Sequence, residues 1–198
     1  MKMNFLKPHL EFKDGRKQNI FIDFHGEAIK WIKINGERLT KVKFEGHKIE
    51  IPPESIKVGG DVENVIQIAF ANTYVTNSAG LHWFEDLADK RIYLYTHLEP
   101  FFCHRWFPCF DQPGIRAPLQ LKVVTPDKKW IVFANGAEQE SSTDKERIRK
   151  ALSENGCAVD DGKLEKMTLK VFEESPPIST YIYGMDAGCY SVVENDNK

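Results

Sequence analysis

The sequence predicts an all-β domain of two layered, mostly antiparallel sheets, with one inserted surface helix near residues 142–155. Three observations carry that expectation. Short apolar runs alternate with period two, as in AIKWIKI at Ala28–Ile34 and NVIQIAFA at Asn64–Ala71. Turn-forming pairs, Asn35-Gly36 above all, separate such runs. Only Ser141–Asn155 places its apolar residues at helical spacing.

Taken in order, Asn19–Phe24 is a strand with Ile20, Ile22 and Phe24 on one face. Strict alternation in Ala28–Ile34 puts Ile29, Trp31 and Lys33 on one face and Lys30, Ile32 and Ile34 on the other. After the Asn35-Gly36 turn, Arg38–Phe44 is expected as the partner strand, with Val42 and Phe44 on its apolar side. Gly46-His47 turns the chain into Lys48–Ile51, which Pro52-Pro53 ends. Gly59-Gly60 reads as a turn. In Asn64–Ala71, Ile66, Ile68 and Phe70 form a strongly apolar face. Further strands are expected at Arg91–Tyr95, Pro118–Thr125, Trp130–Ala134, Lys166–Phe172 and Thr180–Gly184. In the helix, Ile148, Ala151 and Leu152 make the buried stripe. Ser142 or Thr143 is the expected N-cap, Glu146 can complete a capping box, and Gly156 is the stop. The expected division is a short N-terminal segment at 1–18, a β domain at 19–192 and a frayed tail at 193–198.

The bulk composition excludes several classes. At 198 residues and a net charge of −2, with 41% hydrophobic and 28% charged residues, the chain is a globular domain with no basic patch for nucleic acid. No apolar run reaches the ~20 residues of a membrane span. The four cysteines, Cys103, Cys109, Cys157 and Cys189, form no CxxC pair, and no secretory leader is evident near Met1. An intracellular, reducing setting, cytoplasmic or within an intracellular assembly, is therefore expected. There a Cys103–Cys109 disulfide is disfavoured although the spacing permits one.

The densest chemistry lies in YTHLEPFFCHRWFPCFDQP, residues 95–113. His97, Cys103, His104 and Cys109 have metal-ligand side chains, but their spacing fits no common zinc module. The chain has no HExxH; its only His-x-Glu is His25-Gly26-Glu27. Nothing marks Cys103 or Cys109 as an activated nucleophile, and no GxSxG or phosphate-binding glycine loop occurs. The expectation is therefore no catalytic residue and no metal site in this chain. Glu99 is the pointed residue. Pro100 keeps it out of the helical region, and an extended strand end can present a carboxylate to an ammonium group. A solvated or salt-bridged glutamate is the simpler reading, and both stand at this point. Trp31, Trp83, Trp106 and Trp130 are scattered, which favours packing over a carbohydrate platform.

Two runs carry a resemblance: Tyr95-Thr96-His97-Leu98-Glu99-Pro100, and Arg105 through Phe107-Pro108-Cys109 to Asp111-Gln112-Pro113. They resemble the YTQ-x-E-P and R-x-x-FPC-x-DEP runs of the N-terminal domain of M1-family zinc aminopeptidases, the aminopeptidase N and leukotriene A4 hydrolase group. Gly80-Leu81, Asn135-Gly136, the ESPPISTYIY stretch at 174–183 with its Tyr181, and Gly188-Cys189-Tyr190 follow in the family's order. The resemblance implies a saddle-like β sandwich that caps a separate catalytic domain holding HExxH and zinc. It implies that Glu99 and His97 stand near a substrate's α-amino group. Tyr95, Arg105, Phe107, Pro108, Cys109, Asp111, Pro113 and Tyr181 would be motif and structural residues. His97 replaces the family's glutamine and Gln112 its glutamate. Zinc would belong to a catalytic domain supplied elsewhere.

The family's usual front strands are absent, and only Phe5–Phe12 can stand in for them. The expectation is a naturally short cap domain whose open sheet edge is covered by its own N-terminal segment or by another chain. Three functions follow: a non-catalytic interaction or structural module in a larger assembly; a fragment or separately encoded cap of an active aminopeptidase that binds the peptide N-terminus; or a β-sandwich ligand-binding module. The partner is expected to be a protein covering an open edge or the saddle face.

Overall fold

The computed structural model describes residues 2–6, 20–57 and 62–193, with side chains for the last two ranges. The Gly59-Gly60 turn, the tail from Glu194 on and most of the N-terminal segment lie outside the described residues. The strands are β1 (Lys2–Leu6), β2 (Ile20–Asp23), β3 (Ala28–Ile34), β4 (Glu37–Arg38), β5 (Lys43–Phe44), β6 (Lys48–Ile51), β7 (Glu63–Ala71), β8 (Gly80–Glu85), β9 (Ile92–His97), β10 (Lys122–Thr125), β11 (Ile131–Ala134), β12 (Glu138–Ser142), β13 (Thr168–Phe172) and β14 (Met185–Gly188). Helices α1 (Lys145–Glu154) and α2 (Asp161–Leu164) sit between β12 and β13.

Four antiparallel sheets result, in the orders β1-β7-β3-β4, β2-β6-β5, β11-β14-β9-β8 and β10-β13-β12. The first two enclose one core, in which Ile22, Phe24, Ile32, Ile34, Ile49, Ile51, Ile66 and Ile68 are buried. The third and fourth enclose a second, built on Leu94, Val132, Phe172, Met185 and Ala187. A smaller cluster of Leu98, Cys103, Phe107, Cys109 and Tyr183 has Phe70 packed against it from β7 and Trp106 from the second core. The all-β sandwich and its single long helix are as the sequence predicts.

Several elements depart from simple alternation. In β3 the register slips between Ile29 and Trp31, so Lys30 is an extra residue. This bulge brings Ile29 to the side of Ile32 and Ile34, where it packs on the first core, instead of opposite them. The Asn35-Gly36 turn has positive φ at both residues. The expected partner strand, however, is divided: β4 pairs with β3, whereas β5 pairs with β6 in the facing sheet. The chain crosses between layers there, so Leu39, Val42 and Phe44 all reach the same core.

Thr180–Gly184, expected as a strand, opens with a 3-10 turn at Thr180–Ile182. Side-chain bonds set that turn: Ser179 Oγ donates to the Pro113 carbonyl, and Thr180 Oγ1 to Asp111. Helix α1 starts at Lys145 because Ser141 and Ser142 are committed to β12. Its N-cap is therefore Asp144, which accepts from the Arg147 amide, and not Ser142 or Thr143. Ile148 is fully buried against Leu164 and Leu169, which seats the helix on β13. Strands β8, β12 and β14 and helix α2 extend the expected set. At the front, β1 pairs antiparallel with β7, Lys2 opposite Gln67.

Candidate functional site

The site grows from the end of β9. Tyr95 and His97 lie two apart on that strand and share a face. The loop before β8 folds Ser78 over both. The His97 ring donates from Nδ1 to the Ser78 carbonyl. Tyr95 Oη is 3.2 Å from Ser78 Oγ, and the Ser78 amide donates to His82 Nδ1 at 3.1 Å. One small residue in the left-handed region (φ 58°) thus aligns three ring side chains.

Beyond His97, Leu98 turns inward and is 3% exposed, while Glu99 and Pro100 are exposed, with a cis peptide between them. Among the described residues no hydrogen bond or ion pair engages the Glu99 carboxylate. Glu99 is thus an exposed carboxylate with no ion-pair partner among the described residues, which fits both the solvated glutamate and the presented carboxylate.

The rest of the stretch is a packed elbow. The amide and carbonyl of Cys109 bond those of Asp23 at 3.0 and 2.9 Å, which ties the elbow to β2. Asp111 is buried and accepts from three donors: the His104 amide at 3.0 Å, His104 Nδ1 at 2.7 Å and Thr180 Oγ1 at 2.7 Å. Burial pushes its carboxyl up. The bonds from His104 and Thr180 outweigh that and hold it below the ordinary aspartate value. Cys103 and Cys109 are free thiols in one buried cluster. The hydrogen bond between them, followed by burial, pushes the Cys109 thiol far up, so it stays protonated and is a poor nucleophile.

Phe107 stacks near Tyr183 at 6.1 Å, and Pro108 is buried beside it. Burial pushes the Tyr183 hydroxyl up to about 12, and that hydroxyl donates to the Ala117 carbonyl. The Arg105 guanidinium lies 5.2 Å over Phe102. Pro113 accepts from Ser179, and Tyr181 is 37% exposed. The ten residues singled out in the sequence thus divide. Tyr95, Arg105, Phe107, Pro108, Cys109 and Asp111 build or line the elbow and strand, whereas His97, Glu99, Pro113 and Tyr181 reach the surface.

Of the ligand-type side chains in this stretch, His104 is committed to Asp111 and both thiols are buried. Among the described residues, no three His, Cys, Asp or Glu side chains are grouped to hold a metal ion.

Register also reveals residues that alternation alone does not single out. Across β11-β14-β9-β8, the outer face carries Phe133 opposite Asp186, Asp186 opposite Tyr95, and Tyr95 opposite His82. One pair further along, Gly188 lies opposite Tyr93, and Tyr93 opposite Phe84. The Tyr93 ring lies where a Cβ on Gly188 would come within 2.6 Å, so only glycine fits there. In β8 the sequence GLHWFE is aromatic on both faces, which hides its period.

The Peptidase M1 N-terminal domain family model matches residues 9–182. Aminopeptidase N of Streptomyces lividans is 27% identical over 183 residues, covering 90% of this chain and 18% of that one. Probable aminopeptidase 1 of Saccharolobus solfataricus is 25% identical over 198 residues, covering 92% and 23%. The M1 zinc metallopeptidase of Deinococcus radiodurans, in its crystal structure, shares the fold with a TM-score of 0.61 at 18% identity, covering 86% of this chain and 34% of that one. The chain spans about a fifth of the length of these two curated relatives. Among the described residues, no helix is long and apolar enough to cross a membrane.

Proposed function

Because this chain belongs to the peptidase M1 N-terminal domain family, we propose that it acts as an aminopeptidase-type cap domain, non-catalytic as a single chain, that docks on another protein surface in an intracellular assembly. The carrying observation is the outer face of β11-β14-β9-β8, on which, among the described residues, Phe133 is 47% and Phe84 39% exposed beside partly exposed tyrosines. Exposed aromatic surface of this kind marks protein contact sites. The four free cysteines support a reducing setting. In this reading the chain holds no cofactor of its own, zinc is bound elsewhere, and nucleic acid is not a partner.

A second reading is favoured by one observation, the unengaged Glu99 carboxylate at the end of β9. There the domain would contribute Glu99 and His97 to the α-amino end of a peptide, with zinc chemistry supplied by another domain. A carboxylate of this kind anchors a substrate but does not activate water.

Aminopeptidase activity of the purified 198-residue chain, assayed on aminoacyl-aminocoumarins with and without added zinc, tests the first reading. No turnover is expected in either condition, and zinc-dependent turnover overturns it. The second reading expects the chain to restore turnover to the catalytic region of a related aminopeptidase expressed without its own N-terminal part. It also expects Glu99→Ala to lower that rescue.

A further inference from the structure

Asp186 stands on β14, an inner strand of its sheet, with a strand hydrogen-bonded on each side. Its neighbours on the outer face are aromatic: Phe133 on β11 and Tyr95 on β9 are directly opposite it. Tyr190 joins from the following segment, its ring 6.2 Å from Phe133 and 5.0 Å from Tyr93. Among the described residues no lysine, arginine or histidine forms an ion pair with Asp186, and no hydrogen-bond donor reaches it. An inner strand needs no charge to guard an edge, and Asp186 is exposed, so its carboxylate is open to a partner from outside.

The rings offer what a cation prefers. By strand register Phe133 and Tyr95 flank Asp186, and Tyr190 is in ring contact with Phe133 and Tyr93 beside it. A guanidinium can pair with the carboxylate while its flat faces stack on the rings. The face is open and extends onto β8 through Phe84, which stacks on Tyr93 at 5.4 Å. That breadth suits a side chain presented by a protein surface with apolar residues beside it, more than a small free cation, which would touch only the centre.

We propose that the outer face of β11-β14-β9-β8 is a docking surface for a protein segment that inserts an arginine between Asp186 and the rings of Phe133, Tyr95 and Tyr190, with apolar residues flanking it. The inference rests on the docking-module reading and names its partner chemistry. Desolvation of the Asp186 carboxyl, which raises its pKa above the ordinary aspartate value, accords with this site. Tyr190 is raised too, by burial first and then by the negative charge of Asp186, which places the two side chains close together.

The test is an amide-resolved NMR titration of the 198-residue chain with three probes. These are a terminally blocked peptide of sequence Phe-Gly-Arg-Gly-Phe, the same peptide with citrulline for arginine, and ethylguanidinium. The arginine peptide is expected to shift amides of β9, β11 and β14 and to bind at least fivefold more tightly than the citrulline peptide and than ethylguanidinium. In Asp186→Asn, which keeps the side-chain shape on an outward-facing position, the preference for arginine disappears. In Phe133→Ser, with Asp186 intact, both peptides weaken together. Equal binding of the arginine and citrulline peptides, or an arginine preference that survives Asp186→Asn, overturns the site. Ethylguanidinium binding as tightly as the peptide overturns the protein-segment assignment. Turnover by the chain alone would overturn the docking-module reading but would leave these titrations unchanged, so the two failures are distinguishable.

Discussion

Replacing Asp111 by alanine removes the acceptor shared by three donors and is the most severe single change expected in the elbow. The His104 ring is 19% exposed on its side chain and can turn toward water. The Thr180 hydroxyl is on a residue 4% exposed, and the His104 amide points inward with it. A buried donor left without a partner costs about 1–3 kcal/mol. Two such donors, plus a third partly rehydrated, place Asp111→Ala at about 3–5 kcal/mol. Asp111→Asn keeps one acceptor oxygen and the volume, and is expected to cost about half as much.

The two proteins are compared by urea unfolding at several pH values. Asp111 has its folded-state pKa depressed, so its contribution is complete above the unfolded aspartate value of about 3.9 and fades as pH falls through the lower folded value. The stability gap between wild type and Asp111→Asn is therefore expected to hold from pH 7 to about 5 and to close below about pH 4. A gap that stays constant into acid, or an Asp111→Ala cost under about 1 kcal/mol, refutes this account of the elbow.

Three further outcomes follow from the same coordinates. Glu99→Ala is expected to change unfolding free energy by less than about 0.5 kcal/mol, since its side chain is exposed and unengaged; a larger loss in urea melts makes Glu99 a structural partner. Ile148→Ala should cost about 2–4 kcal/mol by loosening α1 from β13, and amide exchange should quicken in α1 and α2 while β3 and β7 stay protected. Gly136→Ala places a Cβ 2.1 Å from the Glu173 carbonyl oxygen, so backbone must move; a drop in melting temperature of at least several degrees is expected, and an unchanged melt contradicts the close approach.

Much of the first core was legible because its residues obey local rules. Ile20, Ile22 and Phe24 alternate cleanly, and Asn35-Gly36 can hardly be anything but a tight turn. The bulge at Lys30 was not legible, since an extra residue in a strand changes pairing without changing composition. Nor was the layer crossing between β4 and β5: Leu39, Val42 and Phe44 face the same core from either sheet, so one pattern describes both paths. TYIY at 180–183 has strong strand propensity, but Thr180 bonds to Asp111, about seventy residues away in sequence, and the tertiary contact prevails over the local preference.

The candidate site divided in the same way. Glu99 was marked by its motif and by Pro100. Asp186 had no such mark, because an aspartate between Met185 and Ala187 reads as an ordinary polar strand position until the register puts Phe133 and Tyr95 on either side of it.

The pairing of β9 with β14 also has a consequence for how the molecule is made. Tyr95 and Asp186 are joined across roughly 90 residues of chain, so at ribosomal rates of about 5–20 residues per second β9 waits some 5–20 s for its neighbour. During that interval Leu94 has only part of its core, and the rings of β8 and β9 stand beside an unfilled edge. The aromatic surface and the second core are thus completed in one late step. A ribosome-bound chain halted before Met185 should expose β9 to chaperones and proteases, while the sandwich of β2, β3, β6 and β7 can already be closed.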